Sequence, residues 1–356
     1  ALPTADSLVH QGITSIVAGQ CGDSLAPLLP ETRDATIAWC HFPSIPVPWE
    51  AWSTFGSYLD HLARLGTSVN VAPLVGHGMI RSGVMGLRDA PPDPAELARM
   101  AAEVARAMDE GAIGLSTGLI YPPGSYAGIA ELIALTRPVA QRHGYYFSHI
   151  RGEGETLLDA LEEAIAIGEV TGAAVEIAHF KAHAPANWGR AEQALELLDR
   201  AQAQGVDVSA DMYPYTAGCT GLRSVLPGWA QEGDRETVLA RLADRDLRSR
   251  MAAEIECTGF FCSLDWSRVM ISEAPARREW EGRDIASLAE RAGVAPYDWI
   301  FDALRETALD ATIVLFMISE DNIRMQLRHP ALMIGTDGMG LATEGPLSTG
   351  LPHPRN

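Results

Sequence analysis

Tyr145-Tyr-Phe-Ser-His149 ahead of Thr156-Leu-Leu-Asp-Ala-Leu-Glu-Glu-Ala-Ile-Ala-Ile-Gly168, and Ala173-Ala-Val-Glu-Ile-Ala-His179 ahead of Arg190-Ala-Glu-Gln-Ala-Leu-Glu-Leu-Leu-Asp-Arg200, decide the fold of this chain. Each couplet sets a short β-rich run before a stretch whose apolar residues recur every three or four positions, and Thr156 stands where a helix cap belongs. Val206-Asp-Val-Ser-Ala-Asp-Met-Tyr213 opens the next couplet. His149 to His179 is 30 residues and His179 to Asp211 is 32, the length of one βα unit of a parallel sheet.

The same rhythm extends outward. Ile13-Thr-Ser-Ile-Val-Ala-Gly19, Val69-Asn-Val-Ala-Pro-Leu-Val75 and Ala112-Ile-Gly-Leu-Ser-Thr117 read as earlier strands, and Ala331-Leu-Met-Ile-Gly335 as a late one. Between two of them, Asp93 is placed to cap a helix with Pro94 in its first turn and Gly111 just past its end. Seven parallel strands result, one short of a closed (β/α)8 barrel of the TIM type. The spacing breaks once: Tyr213 to Asp337 is 124 residues, about four repeats, which predicts a large insertion between the last two strands that serves as a lid or subdomain. That segment holds a charged helical stretch near Arg235 to Glu256 and the run Cys257-Thr-Gly-Phe-Phe-Cys262. The expected division is residues 1–215 as barrel, 216–325 as insertion with connecting helices, and 326–356 as the last strand and a substrate loop.

Composition limits the function. The 356 residues are 47% hydrophobic and 21% charged, which suits a soluble globular protein with a substantial core. Forty-six acidic against 27 basic side chains give a formal charge of −19, which repels nucleic acid and favours small-molecule partners. No apolar run is long enough to span a bilayer. Five irregularly spaced cysteines do not make a disulfide framework, so the cytoplasm is the expected location. The chain does not begin with Met and reads as a piece of a longer protein.

Catalytic groups of a parallel barrel gather at the carboxyl ends of its strands. Here Cys21, His149, His179 and Asp337 each follow or end a strand. A thiolate and two imidazoles form a zinc-type ligand set, and a carboxylate beside them suits proton transfer. Each alone has an ordinary reading: a buried small hydrophobe for Cys21, structural hydrogen bonding for the histidines, turn chemistry for Asp337. Four at equivalent strand ends argue for a site. His183 is expected at the surface, and His77, in Gly76-His-Gly78, is expected to shape a loop.

Gly19-Gln-Cys-Gly-Asp-Ser-Leu-Ala-Pro27, Gly118-Leu-Ile-Tyr-Pro-Pro-Gly124, Ser148-His-Ile-Arg-Gly-Glu153, Ala178-His-Phe-Lys181 with Asn187-Trp-Gly189, Asp211-Met-Tyr-Pro-Tyr215, and Gly335-Thr-Asp-Gly338 with His353-Pro-Arg355 resemble the N-acyl-D-amino-acid deacylases, the D-aminoacylases of the amidohydrolase superfamily. The resemblance runs nearly end to end. It implies a zinc-dependent hydrolase that splits an N-acyl-D-amino acid into a carboxylate and a D-amino acid. It further implies that Cys21, His149 and His179 hold one tight zinc, that Asp337 is the catalytic acid/base, that Lys181, Tyr213 and Arg355 bind the substrate carboxylate, and that Tyr121 lines the pocket.

The chain departs from that family in lacking the His-x-His motif of its first barrel strand and the small β-sandwich domain. The implied reading is a barrel without its first strand, cut at both ends, in which the residues for a second, weaker metal lie outside the chain. Two other readings stay open. One is a cyclic-amide amidohydrolase of the hydantoinase or dihydroorotase kind, which typically has a lysine where Cys21 stands. The other is a metal-free barrel that only binds.

Overall fold

The computed structural model describes residues 3–39, 47–257, 261–262 and 264–338. In chain order its strands are β1 Ser15–Ala18, β2 Asn70–Pro73, β3 Val75–Gly76, β4 Gly114–Gly118, β5 Tyr145–His149, β6 Ala174–Ile177, β7 Val208–Met212, β8 Gly218–Gly221, β9 Val269–Glu273, β10 Thr312–Leu315 and β11 Leu332–Ile334. Six of them form a wholly parallel sheet in the order β11-β7-β6-β5-β4-β3. β1 and β2 form a separate parallel pair. Only Leu74 divides β2 from β3: its N–H donates to the Ala18 carbonyl (2.8 Å), while the Pro73 carbonyl accepts from Ile113 N–H (2.9 Å). The chain therefore passes from the pair into the larger sheet within a few residues. The architecture is α/β with a mostly parallel sheet. Among the described residues β1 pairs with β2 alone and β11 with β7 alone, so the hydrogen-bonded topology is an open arc.

All five residues of β4 and four of five in β5 are buried, and polar ones among them find partners, as Thr117 does with the Ser148 hydroxyl (3.1 Å). The helices between strands start and stop where the sequence provides caps. Pro94–Asp109 begins with a reciprocal capping box, in which the Asp93 carboxylate accepts from Ala95 and Glu96 N–H (both 2.8 Å) and Glu96 accepts from Asp93 N–H (2.9 Å). Leu157–Thr171 differs from the expected capping: Thr156 holds the N-cap position, but its hydroxyl makes no cap bond and lies against Gly152, where an added Cβ would meet it at 1.9 Å.

Between β7 and β11 the chain builds a second centre of packing. β8, β10 and β9 pair antiparallel, and with helices such as Arg235–Ala243 and Pro296–Glu306 they enclose their own core around Leu222, Leu242, Ile271, Ile300 and Ile313. The parallel sheet and its helices pack around Val75, Leu115, Tyr146, Leu161 and Ile177. The charged stretch read near Arg235 to Glu256 is two helices, Arg235–Ala243 and Arg245–Cys257. The Cys257–Cys262 run lies partly outside the described residues.

One buried acid marks the interior of the parallel sheet. Glu176 of β6, 3% exposed, accepts a hydrogen bond from the Ser209 hydroxyl of β7. Burial, reinforced by the charge of Asp211 and only partly offset by Ser209, pushes its carboxyl up to about 8. From its ordinary value of 4.5 to about 8, the unfolded chain gives up this proton before the folded one does, so stability falls as pH rises through that window. The slope from this group is at most about 1.4 kcal/mol per pH unit. Glu176→Gln is expected to flatten it. Urea midpoints at pH 5, 6 and 7 for both proteins check this, and parallel slopes would refute it.

Candidate metal centre

The loop after β1 is held in place by backbone crowding. A Cβ on Gly118, the last residue of β4, would lie 2.0 Å from the Cys21 carbonyl oxygen, and one on Gly76 of β3 would lie 2.3 Å from that of Gly22. Only hydrogen at these two positions lets the loop settle onto the strand ends. Ser116 fixes it further, since its hydroxyl accepts from Gly22 N–H (3.2 Å) and donates to the Gly19 carbonyl. Cys21 is thereby presented in the left-handed region, φ 58°. His179 (φ 39°) and Asp337 (φ 48°) share that conformation. Such backbone costs on the order of 1–3 kcal/mol per residue and concentrates at functional sites.

His149 closes β5, and His179 follows β6 with its backbone N–H donating to Asp211 Oδ1 at 3.0 Å. Cys21 Sγ lies 3.5 Å from His149 Nδ1 and 3.6 Å from His179 Nε2, and the three ligand atoms lie within 4.8 Å of one another. Zinc bonds of about 2.3 Å to sulfur and about 2.1 Å to nitrogen, at a tetrahedral angle, put sulfur and nitrogen about 3.6 Å apart. The observed separations match, so these residues fit a tetrahedral divalent ion with one position left for water or substrate. Both histidines are 5% exposed. Their rings meet edge to face, centroids 4.3 Å apart at 86°.

Further buried groups surround the three donors. Lys181, 5% exposed, donates to Glu153 and to the His179 carbonyl (2.8 Å), and its Nζ lies 2.9 Å from His179 Nδ1 and 5.5 Å from the Tyr213 ring centre. Burial is the largest single influence and opposes ionisation of both Lys181 and Glu153, but the neighbouring groups together outweigh it: Lys181 with His179 and His149 holds Glu153 well below the usual carboxylate range, and Glu153 with Tyr213 and Asp337 holds Lys181 above its ordinary value. Tyr121 packs edge-on to His149, ring centres 5.1 Å apart, and its hydroxyl lies 3.0 Å from Thr220 Oγ1 of β8. Burial, and after it the charge of Cys21, pushes the Tyr121 phenol well above its ordinary value. Asp337 bears electrostatically on Tyr121, Lys181 and Asp211, which places it at the same mouth.

The structure thus brings together Cys21, His149, His179, Lys181, Tyr213, Tyr121 and Asp337. Arg355 lies outside the described residues. Two expectations about other histidines change. His183 is not at the surface: it is 3% exposed, and burial pushes its imidazole down to about 4. His77 starts the helix His77–Met85 and hydrogen-bonds through Nε2 to Oε1 of Glu131 (2.8 Å), whose Oε2 accepts from Arg81. Sequence reasoning gave no role to Glu153 or Asp211. The only available signal was that Glu153 follows His149 by four residues within one motif; no periodicity separates such a loop acid from a solvated one.

Fold and site together define a class: an α/β protein with a mostly parallel sheet and three residues that could hold a metal ion gathered near the carboxyl ends of its strands. The chain is 33% identical over 354 residues to the N-acyl-D-glutamate deacylase of Alcaligenes xylosoxydans xylosoxydans, a match covering 99% of this chain and 62% of that protein. It is 32% identical over 348 residues to the D-aminoacylase of the same organism, covering 98% and 61%. The crystal structure of N-acyl-D-glutamate deacylase from Bordetella bronchiseptica, complexed with zinc and a phosphonate mimic of the tetrahedral intermediate, superposes with a TM-score of 0.77 at 31% identity, covering 99% of this chain and 63% of that one. No protein-family model matches. The chain is a homologue of the D-aminoacylases, and it spans about three fifths of the length of these relatives.

The crowding at Gly118 gives a direct test. Gly118→Ala forces the Cys21 carbonyl away, at a cost of about 1–3 kcal/mol in stability, and is expected to weaken metal binding at least about tenfold. Gly128→Ala, where nothing lies within 4 Å of the added carbon, is the control expected to leave binding intact. Chelator competition and denaturant unfolding measure the two effects.

Proposed function

We propose that this protein is a zinc-dependent hydrolase that splits N-acyl-D-amino acids into a carboxylate and a D-amino acid. The observation that carries the reading is the matched spacing of Cys21, His149 and His179, in a chain whose relatives over nearly its whole length are deacylases of this kind. Those relatives, together with Cys21 in place of a bridging lysine, favour it over a cyclic-amide hydrolase. The ligand set favours it over a metal-free binding barrel.

An unactivated amide resists water at neutral pH, so the site must supply a stronger nucleophile and a sink for oxyanion charge. Cys21, His149 and His179 would hold the zinc ion, which would supply a Lewis acid to acidify water and polarise the acyl carbonyl. Asp337 accepts the proton that the attacking water loses as its oxygen bonds to the acyl carbon, and delivers it to the leaving nitrogen as the C–N bond breaks. Lys181, Tyr213 and Arg355 form the side that binds the substrate carboxylate, with Arg355 offering a planar fork. Tyr121 lines the wall beside His149. One tight ion satisfies this scheme.

The parallel strands support a (β/α)8 barrel short of its first strand, built from residues 1–215 and 326–356, with residues 216–325 as an insertion that covers the mouth. The contact of Thr220 with Tyr121 supports that placement. Limited proteolysis is expected to nick residues 216–325 in the free protein and spare them with ligand bound; equal cleavage in both states would refute the lid. The acidic charge and the irregular spacing of the five cysteines support a small-molecule enzyme of the cytoplasm. No described helix is long and apolar enough to cross a membrane.

The deciding experiment assays full-length, metal-loaded protein against paired N-acetyl-D and N-acetyl-L amino acids. Release of the D product alone is expected; no release, or release of the L product, overturns the proposal. Asp337→Asn is expected to lower kcat by about 100-fold to 10,000-fold while the zinc content stays at the wild-type level by metal analysis.

A further inference from the structure

The two imidazoles face Cys21 through different nitrogens, His149 by Nδ1 and His179 by Nε2. Their opposite nitrogens, His149 Nε2 and His179 Nδ1, turn toward one atom, Glu153 Oε1, at 3.8 and 3.2 Å. The shorter is a hydrogen-bond distance and the longer is just beyond one. Glu153 is 2% exposed and sits in the loop after β5.

A neutral imidazole carries one N–H and one lone pair. For His149 and His179 to ligate through the nitrogens that face the thiol, their protons must sit on the nitrogens that face Glu153. A carboxylate there is within reach of the His179 N–H, and its charge favours the same proton placement on His149, so it biases both rings toward the ligating tautomer. Lys181 presses the other way. Its Nζ is 2.9 Å from His179 Nδ1, and an ammonium can only donate; were it to donate there, the His179 proton would move to Nε2 and the lone pair needed for the metal would be lost. Lys181 has two other acceptors, Glu153 and the His179 carbonyl.

We propose that Glu153 is the positioning residue of the metal centre: one buried carboxylate that biases the orientation of both imidazoles and gives the Lys181 ammonium an acceptor other than His179 Nδ1. The proposal rests on the zinc site put forward above and concerns a residue that touches neither the ion nor the substrate.

The test measures zinc affinity of full-length protein by competition with a chromophoric chelator, and the visible spectrum of the Co(II)-substituted form. Glu153→Gln alone strands a buried ammonium and threatens folding, so the informative variant is the charge-balanced double, Glu153→Gln with Lys181→Met. The metal-free double variant is expected to keep the wild-type circular dichroism spectrum, to bind zinc about 10-fold to 100-fold more weakly, and to show an altered cobalt band. Lys181→Met alone is expected to keep wild-type affinity or gain some, because the competing donor is gone. A double variant that binds zinc as tightly as wild type with an unchanged cobalt band means that Glu153 only neutralises Lys181, and overturns the proposal. So does Lys181→Met with weakened zinc binding, which decides the matter should the double variant not fold. Wild-type protein that takes up no zinc overturns the zinc site itself, whereas tight wild-type binding beside an unaffected double variant overturns only the role given to Glu153.

Discussion

Parallel pairing delivers the carboxyl end of every strand to one edge of the sheet. With Gly118 of β4 opposite His149 of β5, and Ser148 of β5 opposite Ile177 of β6, the residues that end or follow these strands emerge level with one another. The loop after β1 has to come down onto that same edge, and it does so where Gly76 and Gly118 present no side chain. Every feature of the site follows from this close approach. A Cys21 held a few ångströms higher would leave two histidines packed edge to face and no third donor.

The arrangement is costly. Cys21, His179 and Asp337 hold backbone conformations that L side chains avoid, and the desolvation of the buried Glu153–Lys181 ion pair offsets part of its attraction. Such a pair adds little to net stability. Its worth lies in direction, because a carboxylate fixed by an ammonium cannot swing out to solvent, and the imidazoles behind which it stands keep their orientation. The separate core around β8, β9 and β10 reaches the centre through Thr220 and Tyr121, so the wall beside His149 is shared between the two packing centres.

Much of this was legible along the chain. The Tyr145–His149 strand is found with the expected bounds, the Asp93 capping box forms as its spacing requires, and all seven expected parallel strands are present, with the second divided at Leu74. That Cys21, His149 and His179 come together was legible because each ends a strand or follows one within three residues, a position that local periodicity identifies. His183 and Glu153 were misjudged or passed over for a shared reason: both lie in loops, where no pattern of polar and apolar residues distinguishes a buried group from a solvated one. Thr156 shows the same limit at a helix start, since its hydroxyl is occupied by packing on Gly152 rather than by the cap.

The amino-acid order alone determined the βα rhythm, the helix caps, the acidic surface charge and the kind of donors available, because these depend on neighbours within a few residues. The tertiary structure decided which nitrogen of each histidine faces the thiol, which carboxylate stands behind both rings, and that Lys181 is held by Glu153. Apart from His149 and Glu153, which stand four positions apart, those outcomes join residues 26 to 158 positions apart. They are fixed by where buried side chains come to rest, and spacing along the chain carries no record of that.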